Sequence, residues 1–522
     1  MRPRHRAFAL YSVLSGVLIG LALPPSLFRG LSFIAIAPFI ALLWSNVGAR
    51  RLMAHGTIAG TTAAMFYFSW IFETLPLTWL GVHTTPVLVG IFVFTVLSLG
   101  LFWGIFFGLF LVAVKKIVGA HTSLCPLAAL LLWPVFEYIR TFAYSFHPYT
   151  IGEGTIVGDH TGFMLLGDTL AEIPAVRMFA PFLGDYGLSM IVLLPNIAFA
   201  LFMVGSMKNL ARRQALVGAS FFAIFVMLWS VGALHLSRAT HSPDRVPIRI
   251  AIVQTAFGVV DNTREGFAET ASIRAERARR GVVLQSLFTQ ALARAPDMVV
   301  MPEGIGTVFE MSDTAPYPDL TEIRMRLGEE RDILVLDTGL PPKKWNRNIN
   351  PATLLDNTTG VIGTHEKRFL MPWGEYTPYV LEWVTRVFDL QWRDLLFRYR
   401  PGSKIDVFET RLGAIAVLIC SELVSPKMGR EVARRGADIS IIASSEAILH
   451  SSERLQAQNL AIARIRAASF RKPLVYVSNG GRSFALDERG EILWQSASIG
   501  EVVAVVEVTP NNEKTIAAYL LP

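Results

Sequence analysis

The sequence predicts a multi-helix transmembrane domain over residues 1–238 followed by an α/β layered domain over residues 239–522. Three observations predict it. Only 17% of the 522 residues are charged and 52% are hydrophobic, whereas soluble domains carry about a quarter charged residues. The deficit is uneven, because residues 1–238 hold 14 Lys/Arg and 7 Asp/Glu, leaving 34 of each beyond. The whole net charge of +7 therefore sits in the apolar part. From Ile248 the long apolar runs give way to short strand-like runs alternating with amphipathic helices, the pattern of an α/β fold. This composition excludes an ordinary cytosolic enzyme and a disordered chain.

A bilayer core about 30 Å thick needs roughly 20 apolar residues per helix. Seven stretches qualify, near 7–25, 31–48, 54–72, 86–114, 122–139, 183–205 and 214–236. Gly184, Gly187 and Pro195 in the sixth are better tolerated in membrane helices than in soluble ones. With the N-terminus inside, the inner segments carry ten basic residues: Arg2, Arg4, Arg6, Arg50, Arg51, Lys115, Lys116, Lys208, Arg212 and Arg213. The outer segments carry four, Arg29, Arg140, Arg177 and Arg238. Short cytoplasmic loops retain positive charge, so seven crossings put residues 239–522 in the periplasm of a bacterium, above its inner membrane. A signal peptide ending near Ala22 leaves six crossings and the same location. Glu137 and Arg140 are expected to pair one turn apart or to face a substrate. The loop 141–182 reads as a lid or an insertion.

In the second domain the expected strands are Ile248–Gln254, Met298–Met301, Ile333–Asp337, Ala352–Leu355, Ala414–Ile419, Ile439–Ala443, Leu474–Val477 and Val502–Val508. Helices are expected over 268–294, 317–328, 426–435 and 453–469. Three strand ends carry reactive side chains. Met298–Met301 runs into Pro302 and Glu303, Lys367 precedes a Pro/Gly-constrained loop holding Glu375, and Ala416–Ile419 runs into Cys420 and Glu422. A thiol with pKa about 8.5 needs a neighbouring base or cation to act as a nucleophile. Glu303 can take its proton, and Lys367 can stabilise an oxyanion.

These residues carry a resemblance. Residues 248–510 resemble the nitrilase superfamily, whose Glu-Lys-Cys triad matches Glu303, Lys367 and Cys420. The run Leu370 to Pro378, read with Pro302-Glu303, Asn350, Arg466-Ala467 and Asn479-Gly480-Gly481, is similar to the apolipoprotein N-acyltransferase family. So are Trp133-Pro134 through Arg140 and Gly184 through Ser189 in the membrane part. The resemblance implies an αββα sandwich and a ping-pong transfer of an acyl chain from phospholipid through Cys420 to the N-terminal amine of a diacylglyceryl-cysteine lipoprotein. It further implies that Glu375 and Glu422 orient Lys367 and shape the pocket, with no metal or nucleotide cofactor. The chain departs from the family at Ser421, at Ser444 to Leu449 and near Ser469, and no closing membrane helix is expected before Pro522. Conjugal-transfer TraB-type proteins are similar to the same family, so an amidase or acyltransferase with another acceptor is the alternative expectation.

Residues 379–400 mix Tyr379, Trp383, Phe388, Trp392, Phe397 and Tyr399 with Arg386, Arg393, Arg398 and Arg400, which suits an arm on anionic headgroups or a helix packed on the core. The ten histidines show no zinc-type spacing, and His365 reads as a loop residue. Arg274 to Arg280 reads as a solvated helix face without stacking aromatics, which argues against nucleic acid. Cys125 and Cys420 lie in different domains, so a free exported thiol is expected.

Overall fold

The computed structural model describes residues 2–26, 28, 30–75, 86–208, 211–238, 246–258, 271–305, 332–338, 349–387 and 399–520. The first part is helical: α1 (Arg2–Ala22), α2 (Ser32–Ala35), α3 (Ala37–Ala41), α4 (Ala49–Tyr67), α5 (Pro86–Val118), α6 (Cys125–Ala143), α7 (Pro174–Arg177), α8 (Ala180–Lys208) and α9 (Ala211–Arg238). Among the described residues, four helical segments are long and apolar enough to cross a membrane: Phe92–Val118, Thr122–Phe146, Ala180–Gly205 and Gln214–His235. Leu10–Ala22 and Ser32–Trp44 are apolar but shorter.

The stretch expected as one helix over 31–48 is instead broken around Pro38 into α2, α3 and a 3-10 turn Leu42–Trp44. Broken backbone at membrane depth persists only where protein satisfies it. Here Asn196 of α8 does so, accepting from Ile36 N–H at 2.8 Å and donating to Ser32 O at 2.7 Å. Helices α4 and α5 meet through glycines: a Cβ on Gly56 would lie 2.5 Å from Gly108 Cα, and one on Gly60 2.7 Å from Gly104 Cα. Small residues permit such backbone approach between membrane helices.

The second part contains two six-stranded sheets. Their strands are β1 (Ile248–Gln254), β2 (Met298–Val300), β3 (Leu334–Asp337), β4 (Pro351–Asp356), β5 (Gly360–Glu366), β6 (Val407–Thr410), β7 (Gly413–Ile419), β8 (Ile439–Ser445), β9 (Leu474–Asn479), β10 (Phe484–Leu486), β11 (Ile492–Gln495) and β12 (Val502–Val508). The orders are β12-β1-β2-β3-β4-β5 and β11-β10-β9-β8-β7-β6. Strands β1, β2 and β3 are parallel, as are β7, β8 and β9. Alternate residues such as Ile250, Val300, Ile415 and Ile441 point between the sheets and form one dry core. Their neighbours point outward and are covered by helices. α10 (Ala271–Leu292) packs Leu284, Phe288 and Leu292 on the first sheet. α12 (Pro426–Arg434) and α13 (Glu453–Phe470) cover the second with Met428, Val432, Ile462 and Ala467. The result is the expected αββα sandwich. The expected helix over 317–328 lies outside the described residues.

Helix α13 has a second face. Leu455, Ala461, Ile465 and Ala468 join the core of the membrane part, and Gln458 donates to Tyr67 O at 2.9 Å. Buried ion pairs cross the same seam: Arg466 with Asp185, and Arg430 of α12 with Asp159. The loop after α6 is wedged there rather than standing free as a lid. Gly162 N–H bonds Val424 O at 2.8 Å, and Gly152 bridges to Pro378. Glu137 and Arg140 secure that loop from below. Glu137 accepts from Leu166 N–H at 2.9 Å and from Ser189 at 2.6 Å, while Arg140 donates to Met164 O at 2.9 Å.

Candidate active site

The parallel strands of both sheets end at one edge, where side chains from β2, β5 and β7 converge, as open α/β sheets dispose their ligand sites. Glu303 follows β2. Its N–H bonds Ser444 O at 3.2 Å, and its Oε2 accepts from Ser445 N–H at 3.0 Å, so the end of the first sheet is tied to the end of β8 in the second. Lys367 follows β5, is 1% exposed, and lies between two carboxylates. Its Nζ stands 3.1 Å from Glu303 Oε1 and 2.9 Å from Glu375 Oε2. Asn350, just before β4, donates to Glu303 Oε1 at 2.7 Å and to Glu375 Oε1 at 2.8 Å.

Counting protons shows what is free. An ammonium has three N–H bonds, of which Glu303 and Glu375 take two, leaving one for an incoming oxygen. The Glu375 carboxylate accepts from the N–H groups of Asn350, Lys367 and, at 2.7 Å, Met371, the pattern of an ionised acceptor. Burial works against the Lys367 charge, yet Glu303 and Glu375 hold its pKa well above the ordinary lysine value.

Cys420 opens a 3-10 turn directly after β7 and has φ +46°, a left-handed conformation that a non-glycine residue adopts at a cost of order 1–3 kcal/mol. Its thiol is half-buried. Burial first, then the negative charge of Glu303, pushes its pKa up to about 12, while Lys367 and a hydrogen bond with Ser444 oppose the rise. The resting group is therefore a thiol, beside Glu303 and Lys367.

Glu422 occupies a different place from the one expected of it. It does not sit on the Lys367 ammonium; it pins the two strand ends that bear Lys367 and Cys420. Oε2 accepts from Ile419 N–H at 2.7 Å, and Oε1 accepts from Arg368 N–H at 2.7 Å. Its counter-cation is His365, whose Nε2 lies 2.9 Å from Oε2 and whose Nδ1 lies 3.2 Å from Asp406. His365 is therefore no loop residue: it lies on β5, fully buried. Burial disfavours its charge, but Glu422 and Asp406 hold its pKa up to about 9. The signal in the sequence was register, since residues 365 and 367 of an extended chain share a face. Asp406 gave no such signal.

One more carboxyl lies at this edge. Glu446, after β8, is buried and accepts from Tyr476 Oη at 2.9 Å, and Tyr476 Oη lies 2.7 Å from Ser444 Oγ, whose hydroxyl can donate to it. Burial pushes its pKa up to about 7. Of the aromatic-basic segment, Tyr379, Trp383 and Arg386 form α11 (Tyr379–Val387), with Trp383 exposed. Phe388, Trp392, Arg393, Phe397 and Arg398 lie outside the described residues.

A sandwich of this topology with Glu, Lys and Cys at one strand edge defines a class. Residues 249–518 match the carbon-nitrogen hydrolase family, and the chain belongs to it. Residues 15–198 match the apolipoprotein N-acyltransferase N-terminal domain, so both parts match known families. Among curated relatives, the apolipoprotein N-acyltransferase of Geobacter metallireducens is 26% identical, covering 96% of this chain and 89% of that protein. Those of Bordetella bronchiseptica and Aquifex aeolicus are each 25% identical, covering 85% and 70% of this chain and 80% and 74% of theirs. With four helices among the described residues able to cross a bilayer and bacterial relatives over most of its length, the chain is a bacterial membrane protein.

Proposed function

We propose that the chain is an acyltransferase that moves a fatty acyl group from phospholipid, through a thioester on Cys420, to the N-terminal amine of a diacylglyceryl-cysteine lipoprotein. In the first half, Glu303 takes the thiol proton as Sγ attacks the ester carbonyl. The ester C–O bond breaks, and Glu303 returns the proton to the departing lysophospholipid oxygen. The third N–H of Lys367 meets the oxyanion, which suits preorganised stabilisation. In the second half the amine attacks, the C–S bond breaks, and its proton passes through Glu303 to the sulfur. Glu375 positions Lys367, and Glu422 positions the two strand ends.

The observation that carries this reading is Lys367 held between Glu303 and Glu375 beside a strand-end cysteine, in a domain docked on membrane helices. The placement of residues 239–522 in the periplasm above the inner membrane rests on the ten-to-four distribution of basic residues. The test is intact-mass analysis after incubation with phospholipid. An acyl adduct on wild-type protein that is absent from Cys420→Ala is expected, and its absence from wild type would overturn the mechanism. Rescue of a strain depleted of its own N-acyltransferase then tests the acceptor.

A further inference from the structure

Far from the strand edge, the seam between the two parts holds a small, partly open crevice. It is lined by Arg177 and Met178 at the end of α7, His235 near the end of α9, Arg471 just past α13, and Arg489 and Glu491 from the β10–β11 turn. Helix α13 has 18 residues, and at 1.5 Å per residue its two ends are about 27 Å apart. One end adjoins the catalytic edge and the other this crevice, so the two sites are distinct.

The charges in the crevice do not cancel. Glu491 is occupied by two arginines, Arg177 and Arg464, the latter at 3.0 Å. That leaves Arg471 and Arg489 against no further lining carboxylate. Arg489 meets Glu488 at 3.5 Å outside the lining. Arg471 has no ion pair among the described residues, and its Nε is buried without a hydrogen bond. A buried guanidinium N–H without an acceptor is costly, and this one sits on a residue with φ +52°, a position that ordinarily favours glycine. The last carbonyls of α13 are not what it answers, because the N–H groups of Arg471 and Lys472 already cap Ala468 O and Ala467 O.

Depth in the membrane selects the ligand. The crossing segment Gln214–His235 ends at the crevice, so the arginines stand where headgroups lie. The crevice also has an apolar floor of Met178, Pro174 and Ala468. Guanidinium forks match phosphate oxygens, and the apolar floor suits glycerol and the first acyl carbons. We propose that this crevice binds the phosphate headgroup of a phospholipid as a resident ligand, separate from the acyl donor at Cys420.

The test uses the full chain in detergent, with native mass spectrometry and dioleoyl phosphatidylglycerol as the probe. At about one kcal/mol per arginine near a lipid headgroup, the double variant Arg471→Ala/Arg489→Ala is expected to bind one phosphatidylglycerol fewer, or roughly 30-fold more weakly. Arg471→Lys/Arg489→Lys, which keeps the charge but not the fork, should recover part of that binding, which separates loss of charge from loss of fold. Inorganic phosphate at millimolar concentration should leave the lipid in place. Equal lipid retention by wild type and the alanine variant would overturn the proposal, and displacement by inorganic phosphate would overturn the lipid as its source. Cys420→Ala should keep the site, so its outcome is independent of the acyl-transfer reading.

Discussion

Replacing Glu375 by Gln separates the positioning of Lys367 from the reactivity of Cys420, because the two should move in opposite directions. The carboxylate receives Lys367 at 2.9 Å, Asn350 at 2.8 Å and Met371 N–H at 2.7 Å. Gln supplies a single acceptor oxygen for these three donors. If it serves Lys367 and Asn350, its NH2 faces Met371 N–H, leaving a buried donor unsatisfied at about 1–3 kcal/mol. Lys367 also loses one of two counter-charges, though Glu303 remains, so the total falls near 2–4 kcal/mol, toward the low end for broken buried pairs. A displaced oxyanion donor lowers acyl transfer roughly 10²–10³-fold. The thiol responds otherwise. Glu375 is one of the negative charges that raise the Cys420 pKa, so its removal lowers that pKa and speeds alkylation. The assay runs both reactions on one preparation, following the acyl adduct by intact mass and iodoacetamide labelling at pH 8. Acyl transfer within threefold of wild type, or alkylation that slows along with it, would refute the reasoning.

Three further outcomes are expected. His365→Asn leaves Glu422 buried without its cation and should cost about 3–5 kcal/mol. Because the folded His365 pKa is raised to about 9, its stabilisation is complete below pH 6.5 and fades as pH rises through 9, so thermal unfolding between pH 6 and 10 should show a fall that the variant lacks. Glu446 is raised from 4.5 to about 7: the unfolded chain ionises first, so stability is lost between those values, by roughly 3 kcal/mol, and Glu446→Gln should flatten that slope. Gly104→Val drives a Cβ into Thr61 Oγ1 and Thr57 O; it should abolish recovery of monodisperse protein from detergent, whereas Gly90→Ala, with nothing within 4 Å, should not.

The layered domain was largely legible because its central strands are buried on both faces and read as continuous apolar runs; β1 and β12 fall where expected, over Ile248–Gln254 and Val502–Val508. The missed strands are of another kind. Gly360–Glu366 is half-exposed at a sheet edge and carries two glycines, a threonine, a histidine and a glutamate, so neither alternation nor hydrophobicity marks it. Missing β5 hid the fact that His365 and Lys367 share a face. In the membrane part the segment around Pro38 was misjudged because its backbone is satisfied by Asn196, some 160 positions away. Glu303 and Cys420 were legible at the ends of apolar strands and Lys367 from the Pro/Gly-constrained loop that follows it, whereas the Glu422–His365–Asp406 chain depends on packing that no local pattern encodes.

The wedge of the loop after α6 bears on how portable the catalytic domain is. Tyr376, one residue past Glu375, donates to Thr150 O at 2.6 Å, and Trp373 donates to Tyr149 O at 3.1 Å. A fragment starting at residue 246 would retain every reactive side chain and still strand these donors, along with Arg430 and Arg466, whose carboxylates Asp159 and Asp185 belong to the other part. Two unpaired guanidiniums, the uncovered apolar face of Leu455, Ala461, Ile465 and Ala468 and a released Lys367 loop make such a fragment a poor soluble protein. The seam therefore ties the geometry of the strand edge to the membrane part, and a substitution on either side of it is felt by both.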